Sequence, residues 1–308
     1  LMTTIKKVAI VGGTHGNEFT GITLIKQWQQ SPQRVARDSF VVNTVFANPK
    51  AHEENKRYVD CDLNRQFTAD DLNNDALCNY EQSRAKAMNG QLGPKGKKGD
   101  AKTDFIIDLH NTTSNMGPSL ILLRMDAFNR KMGAYLKSKM PEVVVIVEDS
   151  CPMADHPYLC SVAPQGVIVE VGPQPQSVVR QDILEQMDAM THHILDYVHH
   201  CNGGNLPELP PCYEAFRYTE TLKLPENEKG ERIGMVHKNV QDQDFKPLSK
   251  GDPVMALFNG GEIRWEGDYE AYPHFINEAA YYDNNLAMSM AEKIMVNIEE
   301  AVASPVPL

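Results

Sequence analysis

Short β-branched runs recur along the first two thirds of the chain, at Val8 to Val11, Phe40 to Phe46, Phe105 to Leu109, Leu120 to Leu123, Val143 to Val147 and Gly166 to Val171. Helix-like stretches lie between several of them. The clearest is Gln181 to His200, where Ile183, Leu184, Met187, Met190, Ile194 and Val198 recur at three- and four-residue intervals and would form one apolar face. Strands alternating with helices predict an α/β fold with a largely parallel or mixed sheet. The texture changes after Cys201-Asn202-Gly203-Gly204-Asn205, where Pro207, Pro210 and Pro211 precede strand-like runs at Tyr213 to Leu224, Arg232 to His237 and Val254 to Phe258. Asn259-Gly260, between the last of these and Glu262-Ile263-Arg264-Trp265, is a hairpin signal. An α/β domain over 1–205 and a smaller β-rich domain over 206–308 are therefore expected, with no internal repeat.

With 308 residues, 42% of them apolar, the chain can bury a large core. Its net charge of -11 and sequence pI near 5.4 argue against a nucleic-acid partner, because phosphate backbones are held by clustered Lys and Arg. The one basic run, Lys95-Gly96-Lys97-Lys98, reads as a solvated loop. No apolar stretch approaches the roughly 20 residues that span a bilayer, and the first strand begins too early for a secretory segment. Cys61, Cys78, Cys151, Cys160, Cys201 and Cys212 form no C-x-x-C pair, so reduced thiols, several of them buried, are expected. These features predict a soluble, cytoplasmic protein without membrane or nucleic-acid partners and leave homo-oligomerisation open.

The chemistry-bearing residues sit at strand ends. His15 and Glu18 lie three apart, past the Gly12-Gly13 turn that follows the first strand, so both side chains can point the same way. The glycines lack the spacing of a phosphate loop and read as a tight turn with room beside a metal. His110 ends another apolar strand, two residues after Asp108 and on the same face. His15, Glu18 and His110 make a His₂Glu set, a donor group suited to catalytic zinc, one ion per chain. Asp108 reads either as the carboxylate that orients a metal histidine or as a structural hydrogen bond at the sheet end. Glu170 interrupts an otherwise aliphatic strand, and a carboxylate is costly there unless it has a task, such as general base toward a metal-activated water. The competing reading is a partly exposed strand end before Gly172-Pro173. Arg57 can stabilise an oxyanion and Asn64-Arg65 can clamp a carboxylate, the plainer alternative being surface pairing with Asp60 or Asp62. His192, His193, His199 and His200 read as surface or helix-end residues.

These residues are also where the chain resembles the aspartoacylase and aminoacylase III family of carboxypeptidase-like zinc hydrolases. The resemblance runs through Gly12 to Glu18, Tyr58 to Arg65, Asp108 to Gly117, Glu170 to Gln176, Gln241 to Asp244 and Asn277 to Tyr282, nearly the whole chain. It implies a zinc-carboxypeptidase-like domain with a mixed sheet, followed by a C-terminal domain that closes the active site. It implies zinc on His15, Glu18 and His110, Glu170 as base and Arg57 on the acyl carbonyl. Asn64 and Arg65 would hold the α-carboxylate, Tyr281 would close the pocket, and Glu278 would be structural. The family's arginine and tyrosine for an aspartyl side chain fall, by ungapped count, on Cys160 and His156, and no arginine occurs between Arg130 and Arg180.

The expected activity is hydrolysis of a small N-acyl-L-amino acid, with N-acetyl-L-aspartate as the substrate the resemblance suggests. The alternative is an aminoacylase III-like deacylase of N-acetylated aromatic or other amino acids. In the aspartate case His156, or a lysine from elsewhere, would replace the missing guanidinium. A carboxypeptidase or desuccinylase on the same scaffold and a metal-containing binding protein are the remaining readings.

Overall fold

The computed structural model describes residues 4–301 apart from Lys98. The apolar runs become strands of one mixed sheet: β1 (Lys7–Gly12), β2 (Val41–Phe46), β3 (Phe105–Asn111), β4 (Gly117–Leu122), β5 (Val144–Val147), β6 (Gln165–Gly172) and β7 (Cys212–Lys223). Three short strands, β8 (Gly234–Val236), β9 (Pro253–Leu257) and β10 (Glu262–Arg264), form a small sheet of their own, and β11 (Leu286–Asn297) returns to the large one. The large sheet has the order β11-β7-β5-β4-β6-β3-β1-β2. β2, β1, β3 and β6 run parallel. The link from β3 to β4 is too short for a crossover helix, and β4 accordingly runs back antiparallel beside β6.

Helices α1 (Phe19–Gln30), α2 (Pro49–Glu53), α3 (Ala69–Leu72), α4 (Tyr80–Leu92), α5 (Ala127–Lys139) and α6 (Gln181–Gly203) complete the fold. The Gln181 to His200 periodicity becomes α6, which ends at Gly204 in the left-handed conformation that favours glycine. Ile25 and Trp28 of α1, Met132 of α5 and Met190 and Ile194 of α6 pack on one face of the sheet, against Ile107, Leu109, Val167 and Val169. The opposite face carries Ile106, Ile121 and Ile168, met by Ala85 and Met88 of α4 and by Leu63, Phe67 and Leu159 from loops. Strand side chains alternate, so Asp108 and His110 share the face of Ile106, and Glu170 shares that of Ile168.

The Asn259-Gly260 hairpin forms as expected, joining antiparallel β9 and β10 with Gly260 at φ 93°. The chain after residue 205 does more than build a small β unit. β7 pairs with β5 in the large sheet and carries β11 on its outer edge. Tyr213, Ala215 and Val296 are buried in the same core as α5 and α6. Residue 205 thus marks a change of texture, while one core runs across it. Among the described residues no helix is long and apolar enough to cross a membrane. All six cysteines are free, and Cys160 alone is fully buried, where several were expected.

Candidate active site

The C-terminal ends of the parallel strands β1, β3 and β6 bring His15, Glu18, His110 and Glu170 together, at the edge where open α/β sheets bind ligands. The backbone turns at Gly13, φ 69°, and Glu18 is the N-cap of α1. His15, Glu18 and His110 are buried, and one donor atom from each lies within 4.8 Å of the others. Each imidazole gives one nitrogen to a carboxylate: His110 Nε2 lies 2.7 Å from Asp108 Oδ2, and His15 Nε2 lies 2.7 Å from Asp62 Oδ1. That fixes both Nδ1 atoms as the ones facing Glu18, at 3.0 Å for His110 and 2.6 Å for His15. The His15 Nδ1 atom is buried and makes no aligned hydrogen bond. Two oriented imidazole nitrogens converging on a carboxylate fit a tetrahedral zinc with an open position. Burial alone would raise the Glu18 carboxyl, but the adjacent His15 and His110 outweigh it and hold the group below the usual carboxylate range.

Asp108 therefore takes the orienting position and also accepts a 2.9 Å hydrogen bond from Thr14 Oγ1. Asp62 does the same for His15, a role the sequence reading gave to Asp108 alone. Its Oδ1 also accepts from Asn64 N at 2.9 Å, and its Oδ2 accepts from Arg57 Nη2 at 3.1 Å. Arg57 Nη1 reaches Glu18 Oε2 at 3.2 Å, so this guanidinium sits against the ligand set and is no surface group.

Glu170 lies directly across the β3–β6 ladder from His110. It is 7% exposed and has no hydrogen-bond or ion-pair partner among the described residues. Burial pushes its carboxyl well above the usual range; His110 opposes this, while Glu18 and Glu278 add to it. The strand-end reading of Glu170 falls with this burial.

Beyond the ligand set the cleft is lined by Arg57, Asn64, Arg65, Tyr281 and Phe275, together with Ile121, Ile168, Glu148 and Tyr158. Asn64 Oδ1 accepts from Leu159 N at 2.8 Å, which fixes the amide. Arg65 stacks 5.3 Å over the Tyr158 ring. Tyr281 lies against Phe275, and burial raises its phenol, keeping it a donor. Glu278 ties the Tyr281 turn to the end of β3, accepting from Thr113 N at 2.6 Å and Thr113 Oγ1 at 2.8 Å, and also from Thr112 Oγ1.

Two expected substrate contacts are placed differently. Cys160 is fully buried in the core beside Leu159 and lines no part of the cleft. His156 lines the outer vestibule, where burial and the nearby Lys95 push its imidazole down to about 4 and so disfavour the cation that would replace a guanidinium. Lys95, read as part of a solvated run, instead turns inward: its Nζ donates to Phe67 O, His156 O and Ser161 Oγ at 2.7 to 2.8 Å. It braces the loop behind the cleft and contacts no substrate space there.

This arrangement agrees with what is found in known proteins. Residues 4–198 match the sequence model of the succinylglutamate desuccinylase/aspartoacylase catalytic domain, and residues 212–293 match that of the AstE/AspA barrel-sandwich hybrid domain. The chain belongs to the succinylglutamate desuccinylase/aspartoacylase family. It is 42% identical to aspartoacylase of Mus musculus over 95% of this chain and 94% of that one. It is 40% identical to the N-acyl-aromatic-L-amino acid amidohydrolase (carboxylate-forming) of Rattus norvegicus, over 95% and 92%. The crystal structure of murine aminoacylase 3 superposes with a TM-score of 0.89 at 38% identity, covering 97% of this chain and 98% of that one. Within this family fold the sequence reading missed Glu148, Tyr158, Phe275, Ile121 and Ile168, all in the cleft wall. A carboxylate directly after the aliphatic β5 was the one available signal, of the same kind that exposed Glu170.

Proposed function

We propose that the protein is a zinc-dependent amidohydrolase that converts an N-acyl-L-amino acid to a carboxylate and the free amino acid. The observation that carries this is the pair of carboxylate-oriented imidazoles facing Glu18, with the unpartnered Glu170 in register beside them. Zinc held by His15, Glu18 and His110, one per chain, would supply Lewis acidity, making a water more acidic and the acyl carbonyl more electrophilic. Glu170, with its raised pKa, takes the proton of the attacking water and passes it to the leaving nitrogen. Arg57, held by Glu18 and Asp62, donates to the acyl oxygen as negative charge builds on it. Asn64 and Arg65 hold the α-carboxylate, and Tyr281 closes over the bound molecule and excludes water.

The side-chain pocket supports the neutral-substrate alternative over aspartate. Once Arg57 is committed to Glu18 and Asp62, and Arg65 to the α-carboxylate, no other Lys or Arg lines the cleft among the described residues. The remaining lining sets Ile121, Ile168 and Phe275 beside Asn111, Glu278, Tyr158 and Glu148, the last accepting from Tyr158 Oη at 2.7 Å, and so offers no cation to an aspartyl carboxylate. An aspartyl carboxylate would lack a charge-assisted hydrogen bond worth about 1.5 to 3 kcal/mol, or roughly 10- to 100-fold. N-acetyl-phenylalanine should accordingly exceed N-acetyl-aspartate in kcat/KM by about that factor. Equal rates, or a preference for N-acetyl-aspartate, would refute this specificity.

Arg65→Lys tests the carboxylate clamp. Lysine keeps the charge but loses the planar fork, so KM for an N-acyl amino acid should rise with a smaller change in kcat. An unchanged KM would remove Arg65 from the clamp.

A further inference from the structure

Glu81 is fully buried in the first turn of α4, and no Lys or Arg pairs with it among the described residues. Its charge is met by dipoles. Oε1 accepts from Asp60 N at 2.6 Å and Cys61 N at 3.1 Å, and Oε2 accepts from Val59 N at 3.0 Å and Asn48 Nδ2 at 2.8 Å. Three consecutive backbone N–H groups thus point at one carboxylate, with the positive end of α4 behind it. Asp60 returns the contact, accepting from Tyr80 N at 2.8 Å.

The segment held this way lies between Arg57 on one side and Asp62, Asn64 and Arg65 on the other. Asn48 extends the anchor toward the ligand set: its backbone N–H donates to Gly13 O at 2.9 Å, two residues before His15. Its Oδ1 also accepts from Ala51 N at 3.2 Å, which caps α2. One buried carboxylate therefore connects the end of β1 with the loop that supplies both arginines. A buried carboxylate without a counter-cation is costly to desolvate, so its four donors must be kept in place.

We propose that Glu81 is a positioning residue for substrate recognition: it fixes the 59–61 backbone so that Asn64 and Arg65 meet the α-carboxylate while Arg57 and Asp62 stay against the ligand set. The inference rests on the α-carboxylate role given to Asn64 and Arg65 above. Glu81 itself touches no substrate. A displacement of about 1 Å in such a clamp costs up to about 100-fold in rate.

The test compares each N-acyl amino acid with its N-acyl amino acid amide, which lacks the α-carboxylate. Glu81→Gln keeps the shape but turns an amide NH₂ toward backbone N–H groups. It should raise KM for the acid by about 10- to 100-fold and lower the acid-to-amide ratio of kcat/KM by about the same factor, with zinc content unchanged. Glu81→Asp keeps the charge and should restore part of that ratio. A fall in melting temperature with the acid-to-amide ratio unchanged would overturn the proposal, leaving Glu81 a purely structural group. Arg65→Lys is the control. If it too leaves the ratio unchanged, the assignment of the clamp has failed, whereas a ratio that responds to Arg65 but not to Glu81 overturns the anchor alone. Should the variants not fold, hydrogen exchange on the wild-type protein decides: the Val59, Asp60 and Cys61 amides should be strongly protected, and exchange at the rate of open loops would overturn the proposal.

Discussion

Glu170→Gln is expected to leave the fold and bound zinc intact while turnover falls by roughly 10²- to 10⁴-fold, the range for removal of a positioned general base. Glutamine is close to isosteric, and Glu170 makes no hydrogen bond or ion pair among the described residues that the substitution would break. Stability should hold or rise slightly, because an uncompensated buried carboxyl is replaced by a neutral amide. Single-turnover kinetics on the zinc-loaded variant, with metal content measured on the same sample, separates loss of the base from loss of metal. Near-wild-type turnover would remove Glu170 from the reaction.

His110→Ala should have an effect at least as large by another route. Its Nδ1 is one of three converging donor atoms, and its Nε2 holds Asp108 at 2.7 Å. The substitution removes a donor and leaves the fully buried Asp108 with Thr14 Oγ1 as its remaining side-chain partner among the described residues. Zinc should fall from about one per chain to a small fraction, with activity falling in proportion, and chelation of the wild-type protein should reproduce the loss. Elemental analysis decides it. Full zinc occupancy in the variant would mean that His110 is not a ligand.

The candidate site residues were legible because strand ends are: an apolar run followed by His or Glu places a polar group where the sheet opens to solvent. His110 and Glu170 carry that signal directly, whereas their register across β3 and β6 comes from the fold. Asp62 was not legible as a histidine partner, since pairing with a neighbouring arginine is an equally good local account, and it does pair with Arg57. Only the fold brings residue 62 to residue 15. Cys160 was misplaced because an ungapped count assigns position in the chain and says nothing of which way a short side chain points. Lys95 was misread for a related reason. A run of lysines between glycines looks solvated, yet one member turns inward to three acceptors, two of them carbonyls of loops that close only in three dimensions. The role of β7 and β11 in the large sheet was hidden as well, because strand runs show alternation but not which sheet they join.

That stitching bears on how specificity can be re-engineered. Tyr281 and Phe275 lie just before β11, whose twelve residues run beside β7 along the edge of the catalytic sheet. Exchanging everything after residue 205 with a relative would transplant the pocket's roof and two strands of the host's own core at once. A graft confined to 225–285 would leave that seam untouched. The insert between β7 and β11 is thus a unit that can be exchanged by itself, because both of its ends are anchored in the sheet.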